Sequence, residues 1–134
     1  MEKIEHIGIA VSNLDSANKT YEKLLGTPPY KTETVASEGV STSFFKCGES
    51  KIELLQALGA ESPIAKFIEK RGEGIHHIAF SVANIKDEVE RLKKEGFQVL
   101  NEVPRNGADN KWVVFLHPKS ANGVLVELCQ ERNS

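Results

Sequence analysis

Residues 6–14 read HIGIAVSNL and residues 77–85 read HIAFSVANI, an offset of 71 residues. His, Ile, Val and Asn are identical between the two stretches, and the other five positions are chemically close. Up to Val11 and Val82, apolar residues alternate with small or polar ones, the period of a half-buried strand. The segments after the two copies also match. NLDSANKTYEKLLG (13–26) sets Leu14, Ala17, Tyr21, Leu24 and Leu25 on one helical face, and NIKDEVERLKKEG (84–96) does the same with Ile85, Val89 and Leu92. Asn13 and Asn84 are natural N-caps, because their side-chain oxygens can accept N–H groups that the first helical turn leaves unpaired. Gly26 and Gly96 suit the left-handed residue that ends a helix. Three strand-like runs come after each helix, over 30–37, 40–47 and 50–57 in the first half and 97–103, 111–117 and 124–129 in the second. Gly48 turns the last pair of the first half; PRNGADN (104–110) and PKSANG (118–123) separate the runs of the second. Each half therefore reads β-α-β-β-β, an internal duplication.

The connection between the halves has its own logic. Ser62-Pro63 is an N-cap followed by Pro at the first helical position, and Gly72 closes the segment. Ile64, Ala65, Phe67 and Ile68 make a short apolar stripe between them. The expected organisation is one domain over 1–134: module one about 1–58, a linker helix about 62–72, and module two about 74–130. A chain of 134 residues with 40% hydrophobic and 27% charged residues is long enough to bury a core. A net charge of −2 gives no reason to expect nucleic acid or an acidic membrane surface as partner. No apolar run approaches the roughly 20 residues that span a bilayer. The opening MEKIEHIGIAV lacks a signal-peptide core, and Cys47 and Cys129 lack metal-type spacing, so the cytoplasm is the expected compartment.

Strand parity sorts the polar residues. Ile7, Ile9 and Val11 share the face that packs under a helix; His6, Gly8 and Ala10 share the other. In the fifth strand Ile78, Phe80 and Val82 take the helix face, and His77, Ala79 and Ser81 repeat the small, polar one. KIELLQA (51–57) and VLVELCQ (124–130) carry Glu53 and Glu127 on the side away from the apolar helix face, the side of the two histidines. Each module thus offers one His from its first strand and one Glu from its last. A carboxylate inside a strand as apolar as Val-Leu-Val-Glu-Leu is costly unless it is paired or bound to a cation. Converging on one concave face, His6, Glu53, His77 and Glu127 would cradle a divalent metal. His76 has the parity of the helix face and is expected to be structural, and His117, before Pro118, is expected in a turn. Trp112 and the Phe44-Phe45 pair are expected to be packing residues, and no phosphate-cradling loop or nucleophile elbow is present.

Paired βαβββ modules with such residues on their first and last strands resemble the vicinal oxygen chelate superfamily, an α+β fold whose modules form a cupped mixed sheet around a metal site. HIGIAVSNL (6–14), KIELLQALGAESPIAKFIEKRGEGIHHIAFSV (51–82) and FLHPKSANGVLVEL (115–128) are similar, more specifically, to the methylmalonyl-CoA epimerase family, over essentially the whole chain. That resemblance implies His6, Glu53, His77 and Glu127 as ligands of one divalent ion, cobalt first, with zinc, nickel or manganese as alternatives. It also implies an acyl-CoA substrate and a homodimer. One departure is Thr42, which falls where some family members carry a second catalytic Glu; Glu38 lies just upstream of it.

The implied chemistry removes a proton from the carbon between a thioester and a carboxylate and returns one to the opposite face, with a metal offsetting the charge that develops on the thioester oxygen. Glu127 is the expected acid/base on one face, the second being unassigned. Lys119 and Ser120 would meet the phosphates of CoA. The same four ligand types would also serve a glyoxalase-I-type lactoylglutathione lyase, and the same fold could serve a metal-free binding protein of the antibiotic-resistance kind. The SPIAKF (62–67) and HPKS (117–120) segments favour the epimerase.

Overall fold

The computed structural model describes residues 1–132 of the chain, and its elements follow the duplication. The first set is β1 (Lys3–Ala10), α1 (Leu14–Leu25), β2 (Lys31–Val35), β3 (Val40–Cys47) and β4 (Ser50–Ala57). After α2 (Pro63–Arg71), the second set is β5 (Gly74–Ser81), α3 (Ile85–Lys94), β6 (Arg105–Gly107), β7 (Lys111–Leu116) and β8 (Val126–Glu131). The fold is α+β, with βαβββ used twice. Two compact units result, His6–His76 and Met1–Glu5 with the chain from His77 onward. Residues 1–5 are tied into the second unit where the Glu2 N–H donates to the Ser81 carbonyl at 2.8 Å.

In the first unit the strand order is β2-β3-β4-β1, with β1 parallel to β4 and the other neighbours antiparallel. The second unit repeats this as β6-β7-β8-β5, with β5 parallel to β8. The caps are where sequence places them. Asn13 accepts from the Ser16 N–H at 3.0 Å, Asn84 from Asp87 at 3.1 Å, and Ser62 from Ile64 at 3.1 Å. Gly26 closes α1 at φ +74°. α3 ends at Lys94 with Glu95 as its C-cap, and Gly96, at φ +94°, turns the chain immediately after it.

Each helix covers one face of its own sheet. Val11, Leu14, Phe45 and Leu54 form a buried cluster with Ile9, Ala17, Tyr21 and Leu25 against it. Leu24 was expected on that face but is 69% exposed, because helical geometry puts it on the flank while Leu25 returns to the core. In the second unit Val82, Ile85, Val89, Leu92, Val114, Leu116 and Leu128 cluster with Phe80 beside them. Each fully buried aliphatic side chain contributes about 1.5–3 kcal/mol, so α3 alone is held by several.

One glutamine in each module fastens its helix, α1 or α3, to the closing strand. Gln56 Oε1 accepts from the Leu14 N–H at 2.6 Å, and Gln130 Oε1 accepts from the Ile85 N–H at 2.7 Å. Both satisfy an N–H that the first helical turn cannot pair. Gln56→Ala or Gln130→Ala should each cost about 1–2 kcal/mol in urea unfolding, with the slope unchanged.

The sixth strand differs from expectation. The run 97–103 is not a strand; a three-residue β6 instead occupies 105–107, inside the segment read as a separator. Phe97 and Val99 still pack against the second core, and the Leu100 N–H still donates to the Phe115 carbonyl at 2.8 Å. The Asn101 side chain then replaces the ladder: its Nδ2 donates to the Val113 carbonyl at 3.1 Å and its Oδ1 accepts from the Phe115 N–H at 2.9 Å. Side-chain amides of this kind offer the backbone an alternative to pairing. The last strand also starts late, at Val126, because Asn122 and Gly123 are both left-handed.

Candidate functional site

The two His–Glu pairs are built alike. β1 runs parallel to β4 with Gly8 opposite Glu53, and β5 runs parallel to β8 with Ala79 opposite Glu127. In each case the histidine stands two residues before the small residue, on the same face. A side chain no larger than methyl opposite each carboxylate leaves room for the imidazole to reach it. His6 Nδ1 lies 3.1 Å from Glu53 Oε2, and His77 Nε2 lies 3.3 Å from Glu127 Oε1. All four side chains are buried.

An aromatic ring borders each carboxylate. Phe44 is directly across from Glu53 on β3, and Phe115 is directly across from Glu127 on β7. Phe115 also stands edge-on to His77, with ring centroids 6.2 Å apart. A cation covers each ring: Lys31 Nζ is 4.9 Å from the Phe44 centroid and Arg105 Cζ is 5.8 Å from that of Phe115. Each module therefore carries a cation, a phenyl ring, a carboxylate and an imidazole together on one face. Phe44 and Phe45 separate by parity: Phe45 belongs to the helix core, and Phe44 to the face of the His–Glu pair.

The donor set suits a divalent ion. Burying a carboxylate costs several kcal/mol unless counter-charge is supplied, and a neutral imidazole supplies none. An imidazole and a carboxylate at hydrogen-bond distance can either share a proton or jointly ligate a cation of the first-row type. His6, His77 and Glu127 are each buried and of ligating type.

The neighbouring histidines take different roles. His76 lies edge-on to Phe67 of α2, with ring centroids 5.0 Å apart, a packing contact. His117 caps a 3₁₀ turn at Pro118–Ala121, its Nδ1 accepting from the Lys119 N–H at 3.0 Å. In that turn Ser120 Oγ accepts from the Gln98 N–H at 2.9 Å, and the Lys119 side chain is exposed. Glu38 ends a 3₁₀ turn at Ala36–Glu38 and is half-buried. Trp112 is half-buried rather than core, with the Arg132 guanidinium 4.7 Å from its ring centroid. Both cysteines are free, Cys47 exposed and Cys129 buried. Among the described residues no helix is long and apolar enough to cross a membrane.

Residues 5–115 match the model of the Glyoxalase/Bleomycin resistance protein/Dioxygenase superfamily. The chain is 43% identical over 129 residues to the mitochondrial methylmalonyl-CoA epimerase of Homo sapiens, a match covering 96% of this chain and 73% of that one. It is also 43% identical over 130 residues to the ethylmalonyl-CoA/methylmalonyl-CoA epimerase of Cereibacter sphaeroides, covering 96% and 97% of the two chains. Among solved structures, a variant of the Streptomyces coelicolor methylmalonyl-CoA epimerase in complex with 2-nitronate-propionyl-CoA superposes with a TM-score of 0.94 at 34% identity, covering 98% of this chain and 95% of that one. The superfamily and the two His–Glu pairs together support a divalent metal as cofactor.

Proposed function

The chain belongs to the Glyoxalase/Bleomycin resistance protein/Dioxygenase superfamily, and from that premise we propose that it is an isomerase that epimerises methylmalonyl-CoA at C2. The observation that carries the reading is the repeated register, which sets a His and a Glu together on the same face of each module. His6, Glu53, His77 and Glu127 hold one divalent ion, with cobalt the first candidate and zinc, nickel and manganese the others. The chain works as a single domain and as a homodimer, in the cytoplasm, on a small acyl-CoA substrate.

A divalent ion bound there would supply electrophilic stabilisation of the negative charge that develops on the thioester oxygen. The residues of the chain do the rest. Glu127 takes the C2 proton through a carboxylate oxygen, because its place beside His77 lets it ligate through one oxygen and accept a proton through the other. Phe44 and Phe115 border the carboxylates and keep water from them, which strengthens every charge interaction at the site. Epimerisation needs a second proton carrier on the opposite face of C2. Lys119 and Ser120 receive the CoA phosphates at the turn before β8.

The test is metal analysis of the purified protein, followed by exchange of the C2 proton of methylmalonyl-CoA in deuterated water. The expected result is stoichiometric metal, exchange with racemisation, and loss of exchange on chelation. A metal-loaded protein that exchanges nothing on methylmalonyl-CoA but isomerises a glutathione hemithioacetal would replace this reading with the lactoylglutathione lyase one. Such a result would leave the fold and the ligand set standing.

A further inference from the structure

The β2–β3 ribbon of the first module is rich in hydroxyls, and it pairs all but one of those on β3. Ser41 Oγ meets Thr34 Oγ1 at 3.0 Å, and Ser43 Oγ meets Thr32 Oγ1 at 3.3 Å, each across the ladder. Thr42, between them, points to the opposite face with Val40 and Phe44. It is fully buried, and its Oγ1 has no hydrogen-bond partner among the described residues. A buried hydroxyl without a partner costs about 1–3 kcal/mol. Packing does not require it, because the duplication supplies a control. Phe44 faces Glu53 as Phe115 faces Glu127, so the counterpart of Thr42 is Val113, which is 3% exposed. The second module fills the same place with the apolar isostere.

Thr42 stands directly across from Leu55, and Phe44, two residues on, stands across from Glu53. That puts Thr42 diagonal to Glu53 on one face, roughly 7–8 Å away. A malonyl-type acyl group reaching the His6–Glu53 pair through one carboxylate oxygen would leave its other oxygen among Val40, Phe44 and Leu55, all buried and apolar. An anionic oxygen there needs a donor.

We propose that the Thr42 hydroxyl donates a hydrogen bond to the free carboxylate oxygen of the bound acyl-CoA, and so selects acyl groups that carry a carboxylate on C2. This rests on the epimerase reading. Thr42 is in this role a binding residue, with no share in proton transfer.

The test compares wild type, Thr42→Val and Thr42→Ser, all metal-loaded, for binding of methylmalonyl-CoA and of propionyl-CoA by calorimetry, and for thermal stability without ligand. Thr42→Val should fold with an equal or higher melting temperature and bind methylmalonyl-CoA about tenfold more weakly, the worth of one hydrogen bond to a charged group. Propionyl-CoA, which lacks the carboxylate, should bind it as it binds wild type, and Thr42→Ser should restore most of the loss. An equal loss for both ligands, or a lowered melting temperature in Thr42→Val, would make the hydroxyl structural and overturn the proposal. So would unchanged binding of methylmalonyl-CoA. Wild type that binds methylmalonyl-CoA without exchanging its C2 proton would refute the epimerase reading alone, with the Thr42 comparison still decisive; wild type that does not bind it would overturn both.

Discussion

His77→Ala protein will lose its metal, with affinity down by about 10²-fold or more, read by elemental analysis after dialysis and by titration of the apoprotein. Removing even a residue that only supports a ligand costs 10–100-fold in comparable centres, and a ligand itself should cost no less. His6→Ala should match it, whereas Glu53→Gln should be milder because an amide oxygen can still ligate. The control is the adjacent residue. His76→Ala removes the edge-to-face contact with Phe67, so metal should stay bound while stability falls by about 1 kcal/mol. Because a slip of one residue sends every side chain of a strand to the other face, the pair of variants is a register test. Loss of metal in His76→Ala with retention in His77→Ala would displace Ala79 and Glu127 from each other, and with them the second half of the site.

Most of the frame behind that test was legible because it was written twice. Asn13 and Asn84, Gly26 and the Ser62-Pro63 start of α2 are local signals with local causes, and the structure shows each cap hydrogen bond or left-handed turn. The strands β3 and β4 fall at 40–47 and 50–57 as read, since alternation and Gly48 fix both ends. Segment 97–103 was illegible for a physical reason: the apolar pattern of Phe97 and Val99 reports burial correctly, but the hydrogen bonds of Asn101 decide that no strand forms there, and pattern does not reveal them. Parity assigned Glu53 and Glu127 to the histidine face, yet the small residues opposite them and the bordering phenylalanines depend on cross-strand register. Gln56 and Gln130 were missed although a signal was present, since ELLQ and ELCQ repeat a Glu and a Gln three residues apart. The odd spacing puts the carboxylate on one face and the helix clamp on the other.

That clamp bears on the second large effect, expected from Glu127→Gln. Gln130 fastens β8 to the start of α3, and β8 is ordered on both sides by β5 and β7, so the backbone at residue 127 should not move when its side chain changes. Gln nearly reproduces the volume of Glu, and its oxygen can still face His77 and ligate weakly, but an amide accepts no proton at neutral pH. If Glu127 is the acid/base, exchange of the C2 proton should fall by about 10²-fold or more, the usual share of a positioned general base. Metal content should be nearly retained at saturating metal, and the loss should appear in kcat more than in KM, because ground-state binding is little changed. Adding metal should not recover the rate. Recovery with added metal would assign Glu127 to ligation alone and send the search for the base to Glu38 and His117. Of these, His117 already accepts the Lys119 N–H through Nδ1, so only its Nε2 would be available for proton transfer. A carboxylate that merely ligates and one that also moves a proton differ in this one respect: the first defect is cured by mass action, and the second is not.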